Sequence, residues 1–176
     1  MHGQDGMEAS HVHLTNSSNL PAEAMEIEYP VLVDQYALVE DSGGAGRWRG
    51  GLGILRQIRS RADDTLFTAR SDGHIAVAPG LDGGRDGGPA EVVFLPADGP
   101  PKALGAGITA IPMLTGAAAR VETPGGAGLG DPALRDPLAL ATDIADGKTS
   151  RAKAVRDYGE AAVAAAEALW ATKGDR

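Results

Sequence analysis

The 176-residue sequence contains no cysteine, so neither a disulfide framework nor a thiolate metal site is open to it. Aromatic residues are scarce, at 2 Phe, 3 Tyr and 2 Trp. Because each aromatic ring buries a large area, a core built instead from Ala, Val, Leu and Ile has less to bury per residue, and part of its apolar surface is expected to be covered by something else. Positive charge is also short: 16 basic side chains face 24 acidic ones, for a net charge of −8, and the basic groups do not cluster. Such a surface repels a phosphate backbone, so nucleic acid is not an expected partner. No run approaches the roughly 18 apolar residues that cross a bilayer, and the N-terminus lacks the basic-then-apolar pattern of a secretory leader. The expectation is a soluble, cytoplasmic protein with no membrane contact.

What the sequence does have is 25 glycines and 11 prolines, the punctuation of many turns. One domain is the default for this length. "NLPAEAMEIEYP" reads as a short helix, with Asn19 as cap, Pro21 in the first turn, Met25 and Tyr29 on one face and Pro30 as the stop. From residue 31 the pattern turns to strand. "VLVDQYALVE" and "GLGILRQIRS" form an expected hairpin around the glycine-rich connection "DSGGAGRWRG". Further strands are expected at "TLFTAR" (65–70), "HIAVA" (74–78), "AEVVFL" (90–95) and "AARVETP" (118–124), separated by Gly/Pro/Asp clusters. This spacing predicts a mainly β (α+β) fold of short antiparallel strands, sheet or sandwich, rather than βαβ units.

The last fifth reads differently. Asp136 and Pro137 open a helix to about Ala145, Thr149 or Ser150 caps a second through Tyr158, and "EAAVAAAEALWATK" is a strong helix former. Val163, Ala166 and Trp170 fall roughly on one stripe that would dock this last helix on the sheet. The expected division is a β-rich region over 1–131 and a helical tail over 132–176.

Two features carry candidate chemistry. "SHVHLTNSSNLP" (10–21) crowds two of the four histidines into one short stretch. In an extended segment His11, His13 and Thr15 share a face, which suits metal ligation, acid–base work or an ordinary hydrogen-bonded pair. No further ligands stand at a diagnostic spacing. The loop "SGGAGRWRGGLG" offers backbone amides beside Arg47 and Arg49, a set able to hold a phosphate or carboxylate. It lacks the lysine and Ser/Thr of a nucleotide-binding loop. "PGGAGLGDP" (124–132) fails the dinucleotide pattern as well, so both loops also read as tight connections that need glycine.

Taken in order, "HVHLTNSSNLPAEAMEIEYP", "SGGAGRWRGGLGI", "VETPGGAGLGDPALRDP" and "RAKAVRDYG" resemble the C-terminal part of the hydantoinase B/oxoprolinase family, from about Asp5 to about Gly159. The resemblance implies ATP-dependent chemistry on a carbonyl: N-methylhydantoinases and 5-oxoprolinases open cyclic amides, and relatives serve as subunits of acetone- and acetophenone-type carboxylases. It implies a hydantoinase A-type partner that holds ATP and Mg2+ and phosphorylates the substrate oxygen. An amide resists hydrolysis through resonance, and O-phosphorylation makes a better electrophile. Family B chains are several times longer, so Met1 is expected to fall inside a larger architecture whose upstream portion carries any divalent metal. No cofactor or metal is expected on this chain itself, which would be inactive alone within a hetero-oligomer. The matching positions are His11 and His13 as catalytic candidates, with Thr15, Asn16, Asn19, Arg47 and Arg49 as substrate-binding candidates. Asn16 and Asn19 equally suit helix capping. Two alternatives are a carboxylase component and a non-catalytic assembly module.

Overall fold

The computed structural model describes residues 3–10 and 19–174. Helix α1 (Ala22–Glu28) precedes strands β1 (Val31–Leu38), β2 (Ile54–Ser60), β3 (Thr65–Arg70), β4 (Glu91–Leu95), β5 (Lys102–Leu104), β6 (Gly107–Met113) and β7 (Ala118–Glu122). A 3-10 turn (Pro132–Leu134) leads to helices α2 (Pro137–Ala145), α3 (Arg151–Tyr158) and α4 (Glu160–Gly174). The expected mainly β, α+β fold is the one observed.

Five strands form an antiparallel sheet in the order β1-β2-β7-β4-β5, and β3 pairs with β6 in a separate two-stranded sheet. The β1–β2 hairpin forms as expected, and its register shifts between Val33 and Gln35. That irregularity sets Asp34 to receive Gln57 Nε2 at 2.9 Å and Arg59 Nε at 3.1 Å. Along β2, Ile54, Arg56 and Ile58 share one face and Leu55, Gln57 and Arg59 the other, as period-two geometry requires. The face bearing Arg59 is charged, with Arg120 lying between Glu91 and Glu122.

The opposite face is apolar, and the small β3–β6 sheet covers only part of it. Phe94, Met113, Ala117 and Ala119 are buried together, with Phe67, Leu104 and Ile111 packed against them. A second cluster joins the helices: Leu140, Ala141, Ala154, Val163 and Ala166. Helix α4 therefore packs on α2 and α3, which corrects the expectation that its stripe docks on the sheet. Val163 and Ala166 are fully buried while Trp170 is 39% exposed.

Three further expectations change. The "HIAVA" segment is not a strand; Ile75 is 95% exposed, and its surroundings satisfy their backbone through loop contacts such as Ala90 N–H to Gly73 O and Gly87 N–H to Ala78 O, both 2.9 Å. Strands β5 and β6 lie where none is expected; β6 carries Pro112, which is tolerated because in a two-stranded sheet each strand keeps one free side. The cap of α1 is Pro21, without a side-chain hydrogen bond, so Asn19 does not cap it. The other caps follow expectation: Asp136 accepts from Leu138 N–H with Pro137 in the first turn, and Ser150, rather than Thr149, accepts from Lys153 N–H.

Candidate functional site

The uncovered part of the apolar face is the floor of a groove of about 980 Å3. Ile54, Arg56 and Ile58 of β2 and Ala119 and Val121 of β7 form the floor. Met25 of α1 and Tyr29, the residue that ends that helix, make one wall, and Leu66, Phe67 and Met113 of the two-stranded sheet make another. Helix α1 is seated on β1 by Glu26, whose carboxylate accepts the Val33 N–H at 2.8 Å. That contact satisfies an amide on the sheet edge, which would otherwise invite another strand.

A polar group interrupts the apolar floor. Asn19 Nδ2 donates to Tyr36 Oη at 3.0 Å, and the Arg56 guanidinium lies 5.8 Å from the Tyr36 ring centroid. Arg56 reaches Asn19 Oδ1 and the Leu20 carbonyl only at 3.4 and 3.3 Å, and its buried Nε has no partner among the described residues. Ala9 and Asn19 both line the groove, and between them in sequence stands the histidine motif. His11, His13, Thr15 and Asn16 lie outside the described residues; Asn19 is the member of that group the structure places, and it places it in the groove.

Arg47 and Arg49 do not converge. Arg47 is exposed, its guanidinium 5.4 Å from the Trp48 ring centroid. Arg49 points inward, its side chain 3% exposed, where Nη2 meets Glu8 at 2.6 Å and Nε meets Asp143 at 3.1 Å. Asp143 also receives Arg135, which in turn grips Asp5 at 2.9 and 3.0 Å. This network ties the N-terminal segment, the first glycine loop and α2 into one body. Burial opposes charge on both arginines, yet the carboxylates hold the protons more firmly, Glu8 and Asp143 on Arg49 and Asp5 and Asp143 on Arg135. Burial pushes the neighbouring Tyr158 phenol up, and the Arg135 guanidinium 5.7 Å from its ring centroid partly offsets this.

The glycine loops are occupied by each other. Gly44 N–H donates to Gly126 O at 2.9 Å, Gly126 N–H to Gly51 O at 2.8 Å and Gly128 N–H to Arg85 O at 2.9 Å. A methyl group on Gly50 would stand 2.0 Å from Gly126 O, and one on Gly84 would stand 2.2 Å from Gly128 O. Close approach of backbones, not a left-handed turn, is what these positions demand. Those amides are spent on carbonyls, which favours the reading of tight connections over that of an anion cradle. Among the described residues no group of three or more His, Cys, Asp or Glu is placed to hold a metal, and no helix is long and apolar enough to cross a membrane.

The sequence reading missed Arg56, Arg135 and Asp143. Arg56 and Asp143 each left a signal: Arg56 alternates with Ile54 and Ile58 on a core-facing strand position, and Asp143 sits among Leu140, Ala141 and Ile144 on the packed side of its helix. A charged residue at an apolar register position asks for a partner.

The family model for hydantoinase B/oxoprolinase matches residues 1–132. The chain belongs to this family. A protein of Pseudomonas sp. (strain NS671), provisionally named as the B component of a D-/L-hydantoinase, is 33% identical over 168 residues, covering 90% of this chain and 27% of its own length. The beta chain of the caprolactamase of Pseudomonas jessenii is 31% identical over 142 residues, 78% of this chain and 24% of that one. This hydantoinase B/oxoprolinase chain thus spans about a quarter of the length of these curated relatives. Among solved structures, nucleotide-free acetone carboxylase superposes with a TM-score of 0.78 at 23% identity, over 97% of this chain and 29% of that chain. That likeness is one of fold.

Proposed function

We propose that this chain supplies the C-terminal region of a hydantoinase B-type component in an ATP-dependent enzyme that opens cyclic amides such as hydantoin or 5-oxoproline. The observation that carries the reading is the naming of its relatives: the B component of a hydantoinase, the beta chain of a caprolactamase and a 5-oxoprolinase of Arabidopsis thaliana, the last 31% identical over 72% of this chain and 10% of its own length. The first two are named as parts of larger enzymes, which favours a hetero-oligomer, with a hydantoinase A-type ATP-binding component and the rest of the B portion as partners. ATP and Mg2+ on the A-type partner supply the activation of the ring oxygen. The carboxylase alternative rests on a superposition at 23% identity, so the hydrolase stands first.

Within this reading His11 and His13 handle protons, and Thr15, Asn16 and Asn19 orient a polar ring. The exposed guanidinium of Arg47 steadies an anion. Arg49, held by Glu8 and Asp143, fixes the loop that presents it.

The test is ATP turnover by the chain combined with its A-type and B-type partners, against hydantoin, 5-oxoproline, and a ketone with bicarbonate. Ring-dependent ATP consumption that requires this chain is expected. Bicarbonate-dependent consumption with the ketone overturns the hydrolase reading, and turnover that proceeds equally without this chain reduces it to an assembly module.

A further inference from the structure

The arginines on this molecule are treated unequally. Arg49, Arg135, Arg59 and Arg120 each meet a carboxylate. Arg56 is half-buried on the apolar floor of the groove and has none among the described residues; its contacts to Asn19 and Leu20 are long and uncharged. Residues 11–18, "HVHLTNSS", contain no acidic side chain to answer it. A cation taken partly out of water without a counter-charge is costly, and its buried Nε has no acceptor among the described residues.

Around the groove the apolar surface runs on past what a small metabolite would cover. Leu66 is 63% exposed, Tyr36 58% and Tyr29 51%, and all three line the groove. Contiguous apolar surface of this kind marks a protein contact. The occupant is indicated by proportion: 97% of this chain superposes on 29% of the acetone carboxylase chain, so the same fold sits within a chain over three times as long.

We infer that the groove is the seat of the remaining hydantoinase B portion, which lays an apolar segment along β2 and β7 and sets a carboxylate against Arg56. This rests on the reading of the chain as one part of a B-type component, and it names the surface and the chemistry of that contact. Ile54 and Ile58 receive the apolar side chains, Arg56 fixes the register through its charge, and Leu66 and Tyr29 close over the edges.

The experiment co-produces the full 176-residue chain with a separately tagged polypeptide covering the family portion outside its span, and measures association by titration and by co-purification. Arg56→Met, which keeps the apolar stem, and Leu66→Asp, at an exposed position unable to upset the core, are each expected to weaken association at least about tenfold, as loss of a buried charge pair or an apolar anchor does. Arg151→Ala, on the helical tail, is expected to leave it unchanged. Circular dichroism confirms that each variant is folded. Wild-type affinity in both groove variants overturns the inference, as does failure of the wild-type pair to associate, or Arg56-dependent self-association of this chain in place of the hetero-contact. If the pair associates through the groove but the assembled enzyme opens no ring, the functional reading falls while the interface stands. If the ring opens and the groove variants bind normally, the reverse holds.

Discussion

Arg49 Nε donates to Asp143 Oδ2 across 3.1 Å, joining residues 94 positions apart, with both side chains at most 5% exposed. Arg135 donates to the same oxygen. One carboxylate on α2 therefore bridges two guanidinium groups that arrive from two separate loops, each of which also meets a carboxylate of the N-terminal segment, and the helical tail is bound to the glycine-rich body through it.

Removing that carboxylate leaves Arg49 to Glu8 alone and Arg135 to Asp5 alone, so two buried cations each lose a charged hydrogen bond. Asp143→Ala is expected to destabilise the protein by about 3–5 kcal/mol, the range for breaking a buried ion pair from one side. Urea denaturation monitored by circular dichroism measures it. A loss below about 1 kcal/mol, no more than an exposed pair contributes, would show that the network is not what holds the tail.

Asp5 predicts an acid limit. Burial raises its pKa, but the hydrogen bond and charge of Arg135, with the Arg49 N–H and charge, more than offset this and hold the carboxyl below its ordinary value. A depressed folded pKa gives stability that is present above the unfolded value of about 3.9 and disappears as pH falls through the folded one. Stability curves should therefore decline below about pH 4 in the natural protein. Asp5→Asn should start lower at neutral pH, by about 1.5 kcal/mol, and decline less.

Glycine positions should divide sharply. Gly50→Ala places a methyl 2.0 Å from Gly126 O, and Gly105→Ala meets nothing within 4 Å. The first is expected to cost about 3 kcal/mol or more, since rigid backbone must move, and the second to be close to neutral. Comparing thermal midpoints of the two variants decides it; equal midpoints would contradict the loop packing.

In the assembled enzyme, His13→Ala should depress turnover by about 10²-fold or more if the side chain moves a proton, without weakening association of the components. Turnover unchanged in a properly assembled complex rejects the catalytic role.

The hairpin, the terminal helices and their caps were readable because each depends on residues close in sequence: runs rich in β-branched and aromatic residues on either side of a glycine-rich loop, Asp136 before Pro137, Ser150 before its helix. "HIAVA" has the composition of a strand, but a strand needs an edge to pair with, and residues around it spend their backbone bonds on Gly73 and Ala78. Local pattern carries no information about which edge is free. The groove was foreshadowed only as a shortage of aromatic residues and an expectation of apolar surface left to be covered. Its location was not readable, because it arises where the β3–β6 sheet stops short of β1 and β2.

The sequence by itself determined the family, through four motifs in order, and the elements whose signals are local. Tertiary structure decided the direction in which each guanidinium points. Arg47 and Arg49 are two residues apart in one loop, yet one faces solvent and the other enters an ion network with Asp143, because a buried charge goes where distant carboxylates can answer it. It also decided that Arg56, on an ordinary strand, has no such answer among the described residues, since the pairing of long-range charges depends on how sheets and helices are stacked rather than on any spacing along the chain.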